Sequence, residues 1–514
     1  MKYPIGIQNF ESLIHDNYVY VDKTALIYKL ADSGRYYFLS RPRRFGKSLL
    51  ISTMDAYFSG KRELFKGLAI EKLEHDWTQY PILHLDLNNE KYNSADSLDH
   101  ILDLNLSNWE KIYGSYEKEK SFSLRFAGII QRAYEKTGHR VVILVDEYDK
   151  PMLQTIGNKE LTEEYRSTLK AFYSVLKTQD GYIKFAFLTG VTKFGKVSVF
   201  SDLNNLEDLS MNEQYIDICG ITEKELHAYF DEDVARLGER YKLNKDDCYV
   251  KLQEQYDGYH FETDTIGIYN PFSILNTLKN QKFSDYWFET GTPSYLVQLL
   301  KNANYELPDL TQTHITSDVL NSIDSMSQNP VPVIYQSGYL TIKGYDEEFG
   351  IYQLGFPNKE VENGFIKYLM PYYTPMKEQE SAFFIGSFVQ DVRNGNPEQF
   401  MKRMETMFSR TDYKIVGNAE LYFQNAFYLI MTMMGFYTDV ERTTSEGRID
   451  MTLKTKDYIY LFEFKLDGSP EKALKQIEDN GYAKPFAMDG RKIYRVGVNF
   501  SSEKRCINSW KIES

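Results

Sequence analysis

Cysteine is scarce in this chain: Cys219, Cys248 and Cys506 are the only three, and they lack metal-ligand spacing. That usage excludes a disulfide-stapled secreted scaffold and reads as reduced thiols in a cytoplasmic protein. Histidine is sparse as well, with 8 residues and no ligand pattern, which argues against a zinc centre. No Gly-x-Ser-x-Gly and no cysteine–histidine arrangement points to a nucleophilic hydrolase. Long apolar runs are missing too. The most lipid-like, Phe427 to Phe436, is about ten residues, half of what a bilayer requires. The start, MKYPIGIQNFESL, has no basic region followed by an apolar core, so neither a signal peptide nor a membrane span is expected. Excess positive charge is absent: 60 basic against 73 acidic side chains leave −13, so any nucleic-acid contact must come from a local basic patch. Repeats, low-complexity segments and long linkers are absent.

What is present is an ordinary globular composition, 42% hydrophobic and 26% charged, which rules out extended disorder. A length of 514 residues implies two to four domains. Residues 1–220 alternate helical patterns with apolar runs: YYFLS, ILHLDL at 82–87, VVILVD at 141–146 and IKFAFLT at 183–189. Strands apolar on both faces and separated by helices predict a parallel sheet covered on each side. From Thr222 the text turns helical, opening on a capping box with Glu225 three residues on. Within 331–356 a helical stretch leads into QSGYLTIKGYDEEFGIYQLGF, two strands and a turn that resemble the wing of a winged-helix unit. From about 366 a helical stretch precedes alternating strands and one helix. The expected division is therefore 1–220, 221–365 and 366–514: an α/β P-loop domain, a helical and winged-helix-like middle, and a C-terminal α/β domain.

The strand Tyr36-Tyr37-Phe38-Leu39-Ser40 breaks into RPRRFGKS. Triphosphate oxygens need many short donors, and a loop entering a helix N-terminus supplies them from the backbone. Gly46 allows close approach, Lys47 reaches the β- and γ-phosphates, and Ser48 holds Mg²⁺. Arg43, Arg44 and Phe45 complete the loop. The usual first glycine is replaced by Arg41, which with Arg43 and Arg44 adds charge able to face phosphate or a second subunit. A surface Gly-Lys-Ser turn is the plain alternative. It competes poorly because VVILVDE supplies the second half: Asp146 to engage Mg²⁺ through water and Glu147 to polarise the attacking water. Thr189 or Thr192, at the tip of the next strand, is placed to sense the γ-phosphate, a Thr-Gly turn being the alternative. Lys150 reads as a solvated loop charge. Tyr256, Tyr259 and His260 in YDGYH are candidates to line a groove.

YPIGIQNFESLI, YVYVDKT, RPRRFGKSLL, LVDEYDKP, FLTGVTKF, YNPFSILN and WFETGTPSYL together resemble the predicted AAA-ATPase-like family of bacteria, over almost the whole chain. The resemblance implies an additional-strand P-loop ATPase whose sensor strand lies between the P-loop and Walker B strands. It also implies that Asp22 and Lys23 lie near the nucleotide. Members commonly end in a PD-(D/E)XK nuclease-superfamily domain.

Residues 448–465, RIDMTLKTKDYIYLFEFK, form a predicted hairpin with its turn near 455. Alternation puts Glu463 and Lys465 on one face and Phe462 and Phe464 on the other. Asp450 then falls opposite the same end. Two carboxylates to hold Mg²⁺ (or Mn²⁺) and a lysine to orient water meet the needs of phosphodiester hydrolysis. Glu420, at the start of a preceding helix, and Gln476, in the following one, complete an order that resembles the PD-(D/E)XK core. The proline usual before the first aspartate is missing, since Arg448 and Ile449 stand there. A surface hairpin with a cross-face salt bridge is the alternative.

The expectation is thus an ATP- and Mg²⁺-dependent ATPase joined to a metal-dependent nuclease, acting on nucleic acid with DNA favoured over RNA. Mobile-element or defence biology follows only by analogy. The rival is a nucleotide-controlled switch or scaffold whose C-terminal domain binds without cutting. Oligomeric state is left open.

Overall fold

The computed structural model describes residues 1–193, 196–200, 203, 205–289, 294–311, 313–321, 329–409, 419–435, 439–445 and 448–514. They form two compact units: residues 1–303 with 311–361, and residues 304–310 with 362–514.

The first unit is built on a five-stranded sheet of β1 (Tyr36–Ser40), β2 (Ile82–Asp86), β3 (Val141–Asp146), β4 (Ile183–Gly190) and β5 (Glu207–Asp208), in the order 2-3-4-1-5. Every pairing is parallel. Strands β1 and β3 are buried along their whole length, as helices on both faces require. Strand β2 departs from the expectation of two apolar faces. It alternates half-buried and buried residues because it is the edge strand. Strand β4 lies between β1 and β3, so the loop after β1 and the carboxylates after β3 open at the same end of the sheet.

After the sheet, Thr222 caps helix Glu223–Tyr241 in the expected reciprocal arrangement with Glu225. That helix packs with Lys245–Tyr256 and Pro271–Asn280 around Leu226, Phe230, Leu237, Leu252 and Ile274. Tyr256 and Tyr259 are buried, Tyr259 and His260 border a small cavity beside Arg41, and His260 Nδ1 sits 2.9 Å from the Thr265 carbonyl. Helix Val331–Gln336 is followed by a hairpin of β7 (Thr341–Asp346) and β8 (Ile351–Gly355), joined on its outer side by β6 (His314–Thr316).

The second unit carries a mixed sheet of β9 (Asp439–Ser445), β10 (Arg448–Lys454), β11 (Tyr458–Leu466), β12 (Lys492–Ser501) and β13 (Cys506–Glu513), in chain order. The one parallel pair, β11 with β12, is bridged by helix Pro470–Asp479. Strands β10 and β11 form the predicted hairpin, closing at 455–457. One face is aromatic: Phe464 packs 4.2 Å from Phe427, and Phe462 lies 5.7 Å from Phe400. Among the described residues no helix is long and apolar enough to cross a membrane.

Candidate functional site

Helix Lys47–Phe58 begins directly after β1, with Gly46 in the left-handed region at φ 95° and no side chain capping its first amides. Those N–H groups are therefore free of a protein cap at the place where a phosphate would be held. A β-carbon added to Gly46 would meet nothing within 4 Å, so the loop faces open space. That space is a cleft of about 1060 Å³ lined by Arg43, Arg44, Gly46, Lys47, Ser48 and Glu147 among others. Its volume and uncapped amides fit a nucleoside triphosphate.

Lys47 is buried. Its ammonium donates to the Arg41 carbonyl at 3.0 Å and pairs with Glu147 Oε1 at 3.2 Å. Glu147 adopts φ 56° and Arg44 φ 67°, both left-handed and both at the cleft, a backbone cost that functional turns often carry. Asp146 is buried and accepts from Thr189 Oγ1 at 2.6 Å, which joins β4 to the end of β3. Thr192 does not share that place. Its amide and hydroxyl both donate to Asp149, at 2.6 and 2.7 Å.

Asp149 went unrecognised in the sequence reading. It is fully buried, accepts also from the Val191 amide, and has its carboxyl pushed up to about 7 by burial and by the neighbouring Glu147 charge. A β-carbon on Gly190 would fall 2.7 Å from Asp149 Oδ1 and 2.6 Å from the Tyr148 ring, which is why the turn after β4 needs glycine there. The available signal was an aspartate three residues beyond Asp146 in VDEYD, opposite TGVT.

The arginines part ways. Arg41 does not face phosphate: it is 1% exposed, and its guanidinium donates to the Ser40 and Ser210 carbonyls at 3.0 and 2.7 Å. It also lies 3.9 Å from the centre of the Phe261 ring, and burial lowers it to about 10. Arg43 and Arg44 do line the cleft, over the rings of Trp287 and Phe272. The Phe45 side chain is buried and packed against Tyr259, and Phe45 is not among the residues lining the cleft. Asp22 and Lys23 stand away from the cleft lining. Asp22 accepts from the Thr24 and Ala69 amides, and Lys23 pairs with Glu225 at 2.5 Å.

In the second unit, Glu463 is 0% exposed, and Lys465 Nζ donates to its Oε1 at 2.8 Å. The same ammonium donates to Gln476 Oε1 from helix Pro470–Asp479. Glu463 Oε2 is buried without a hydrogen-bond partner among the described residues. A buried carboxylate oxygen in that condition is costly and fits a cation. The hairpin register pairs Met451 with Phe462, so one step along each strand stand Asp450 and Glu463. The side chains of Asp450 and Glu420 lie outside the described residues. Among the described residues no group of three or more His, Cys, Asp or Glu is arranged to hold a metal.

A phosphate loop, an aspartate–glutamate pair and a sensor strand on one parallel sheet define an AAA-ATPase-like domain. A family model described as Predicted AAA-ATPase matches residues 4–200, and one described as PD-(D/E)XK nuclease superfamily matches residues 418–510. The chain is 35% identical over 526 residues to the "Uncharacterized protein in vnfD 5'region" of Azotobacter chroococcum mcd 1, covering 100% of this chain and 99% of that one. The chain belongs to the predicted AAA-ATPase family and carries a PD-(D/E)XK nuclease-superfamily domain in its C-terminal part. Among solved structures, the Aeropyrum pernix ORC2 protein (ADPNP-ADP complexes) is similar at 10% identity and a TM-score of 0.24, covering 71% of this chain and 94% of that one.

Proposed function

We propose that the chain hydrolyses ATP in its amino-terminal domain and cuts nucleic acid, DNA in preference to RNA, in its carboxyl-terminal one. The observation that carries the first half is the Lys47–Glu147 pair, set beside uncapped helix amides in an open cleft. In this reading the Gly46–Ser48 amides and Lys47 hold the β- and γ-phosphates, with Arg43 and Arg44 flanking them. Ser48 and Asp146 hold Mg²⁺, which when bound neutralises charge on the phosphate oxygens. Glu147 accepts the proton of the attacking water, and Thr189 keeps Asp146 in place.

For the second half, Glu463 and Asp450 hold Mg²⁺ or Mn²⁺, with Glu420 completing the set. The metal supplies charge neutralisation and an activated water. Lys465 orients that water, and Gln476 orients Lys465. Residues 1–220, 221–365 and 366–514 act as motor, connecting region and nuclease, so that nucleotide state governs cutting in the cytoplasm.

The test is ATP turnover and Mn²⁺-dependent plasmid nicking on the same preparations. Glu147→Gln is expected to bind ATP without turning it over, and Glu463→Ala to lose nicking alone. Nicking that survives both Asp450→Ala and Glu463→Ala removes the nuclease assignment. The net charge of −13 favours a second reading, a nucleotide-controlled scaffold that binds without cutting. Turnover without any metal-dependent cleavage selects it.

A further inference from the structure

Lys150 is not the solvated loop charge its sequence context implies. It is half-buried and lines the same cleft as Lys47, Ser48 and Glu147, from the turn that carries Glu147. Its Nζ donates to the Asn88 carbonyl at 2.5 Å and to Asn88 Oδ1 at 2.8 Å. The described hydrogen bonds of this ammonium all go to Asn88, while Glu147, Asp86 and Glu90 act on it electrostatically. An ammonium held on two neutral oxygens in a partly desolvated cleft is short of counter-charge, and burial lowers its pKa. An anion arriving in the cleft would relieve that shortage.

The other cations lining the cleft are differently engaged. Lys47 is paired with Glu147, Arg43 and Arg44 lie over Trp287 and Phe272, and Lys91 is exposed. The Lys150 backbone is also fixed. Asp149 before it is fastened by three hydrogen bonds to the turn after β4, and Lys150 itself is the first residue of the short helix Lys150–Gln154, followed by Pro151. A cation whose base is this rigid can meet developing charge without reorganising.

We propose that Lys150 is a catalytic residue, contacting the γ-phosphate of bound ATP so that the chain supplies in cis the cation for hydrolysis and needs no arginine from a second copy. The inference rests on the ATPase reading above. In the step, the water oxygen bonds to the γ-phosphorus while the bond to the β–γ bridging oxygen breaks. The water proton passes to Glu147, and ADP and phosphate leave. Lys150 stays protonated throughout and donates to the phosphoryl oxygens.

The experiment compares wild type, Lys150→Ala, Lys150→Arg and Asn88→Ala by Mg-ATP calorimetry, steady-state turnover and binding of ADP with aluminium fluoride. The expected result for Lys150→Ala is a kcat lower by about 100-fold, with the Kd for ATP within about 3-fold of wild type and binding of ADP with aluminium fluoride lost. Lys150→Arg should recover part of the rate, and Asn88→Ala, which loosens the tether, should lose about 10-fold. A Lys150→Ala kcat within about 3-fold of wild type overturns the assignment, as does turnover per subunit that rises with enzyme concentration. Should Lys150→Ala fail to fold, an unchanged kcat in Asn88→Ala overturns it instead. A wild type that binds Mg-ATP but never turns it over brings down the ATPase reading and this assignment with it, a result distinct from an active wild type with an equally active variant.

Discussion

Two lysine–glutamate pairs, Lys47–Glu147 in the first unit and Lys465–Glu463 in the second, are mirror images in exposure. Lys47 and Glu147 have side-chain exposures of 4% and 19%, so the lysine is enclosed and the carboxylate opens on the cleft. Lys465 and Glu463 have 17% and 0%, so there the carboxylate is enclosed. The enclosed member in the first pair is satisfied by the Arg41 and Pro42 carbonyls. The enclosed member in the second keeps one oxygen without a partner among the described residues. The first site therefore encloses a cation that protein oxygens already satisfy, and the second encloses an anion with one oxygen unmatched among the described residues. A polyphosphate and a divalent metal are the ligands that the proposed function assigns to the two sites.

The largest expected effect separates the two sites by ligand. Lys47→Ala should weaken Mg-ATP binding by about 100-fold, or about 2.7 kcal/mol, and leave plasmid nicking by the nucleotide-free protein intact. Glu463→Ala should do the reverse. Next comes stability. Lys465→Ala strands Glu463 as an unpaired buried carboxylate, so denaturant titration should show a loss of about 3–5 kcal/mol. Mn²⁺ should restore part of that loss by binding only the folded state. Lys47→Ala leaves Glu147 with access to solvent, and the same titration should register about 1 kcal/mol. Equal losses in the two lysine variants would erase the contrast.

Arg41→Ala tests the enclosed side of the first site. Removing a buried guanidinium that binds carbonyls from two segments should cost about 3 kcal/mol, well above what a phosphate-facing arginine would cost in the nucleotide-free protein. The smallest effect concerns pH. Asp149 has its folded-state pKa raised to about 7, so the folded protein binds this proton more tightly than the unfolded chain does. Its contribution is thus most favourable below the ordinary aspartate pKa of about 4 and is lost as pH rises through about 7. Nucleotide-free protein should lose about 2 kcal/mol between pH 5 and pH 7 from this group, and Asp149→Asn should flatten that slope.

The sheet was legible because β1, β3 and β4 are runs of mainly apolar residues, as strands covered on both faces are. The hairpin of β10 and β11 was legible because its polar turn interrupts an alternating pattern. What escaped the sequence were side chains whose partners lie far along the chain. Arg41 binds carbonyls near residue 210, Lys23 finds Glu225, and Asp149 finds the turn at 191–192, partners that stand from 42 to 202 positions away in the chain. Charge in a phosphate loop suggests phosphate, and nothing local to RPRRFGKS tells an inward arginine from an outward one. Strand β5, two residues long at an edge, has no periodicity to read.

The most direct measurement is calorimetric titration of magnesium-ATP into the wild-type chain and into Lys47→Ala. Saturable one-to-one binding to the wild type, weakened by about 100-fold in the variant, is the predicted result. No heat with the wild type, or the same isotherm for both proteins, would contradict the account.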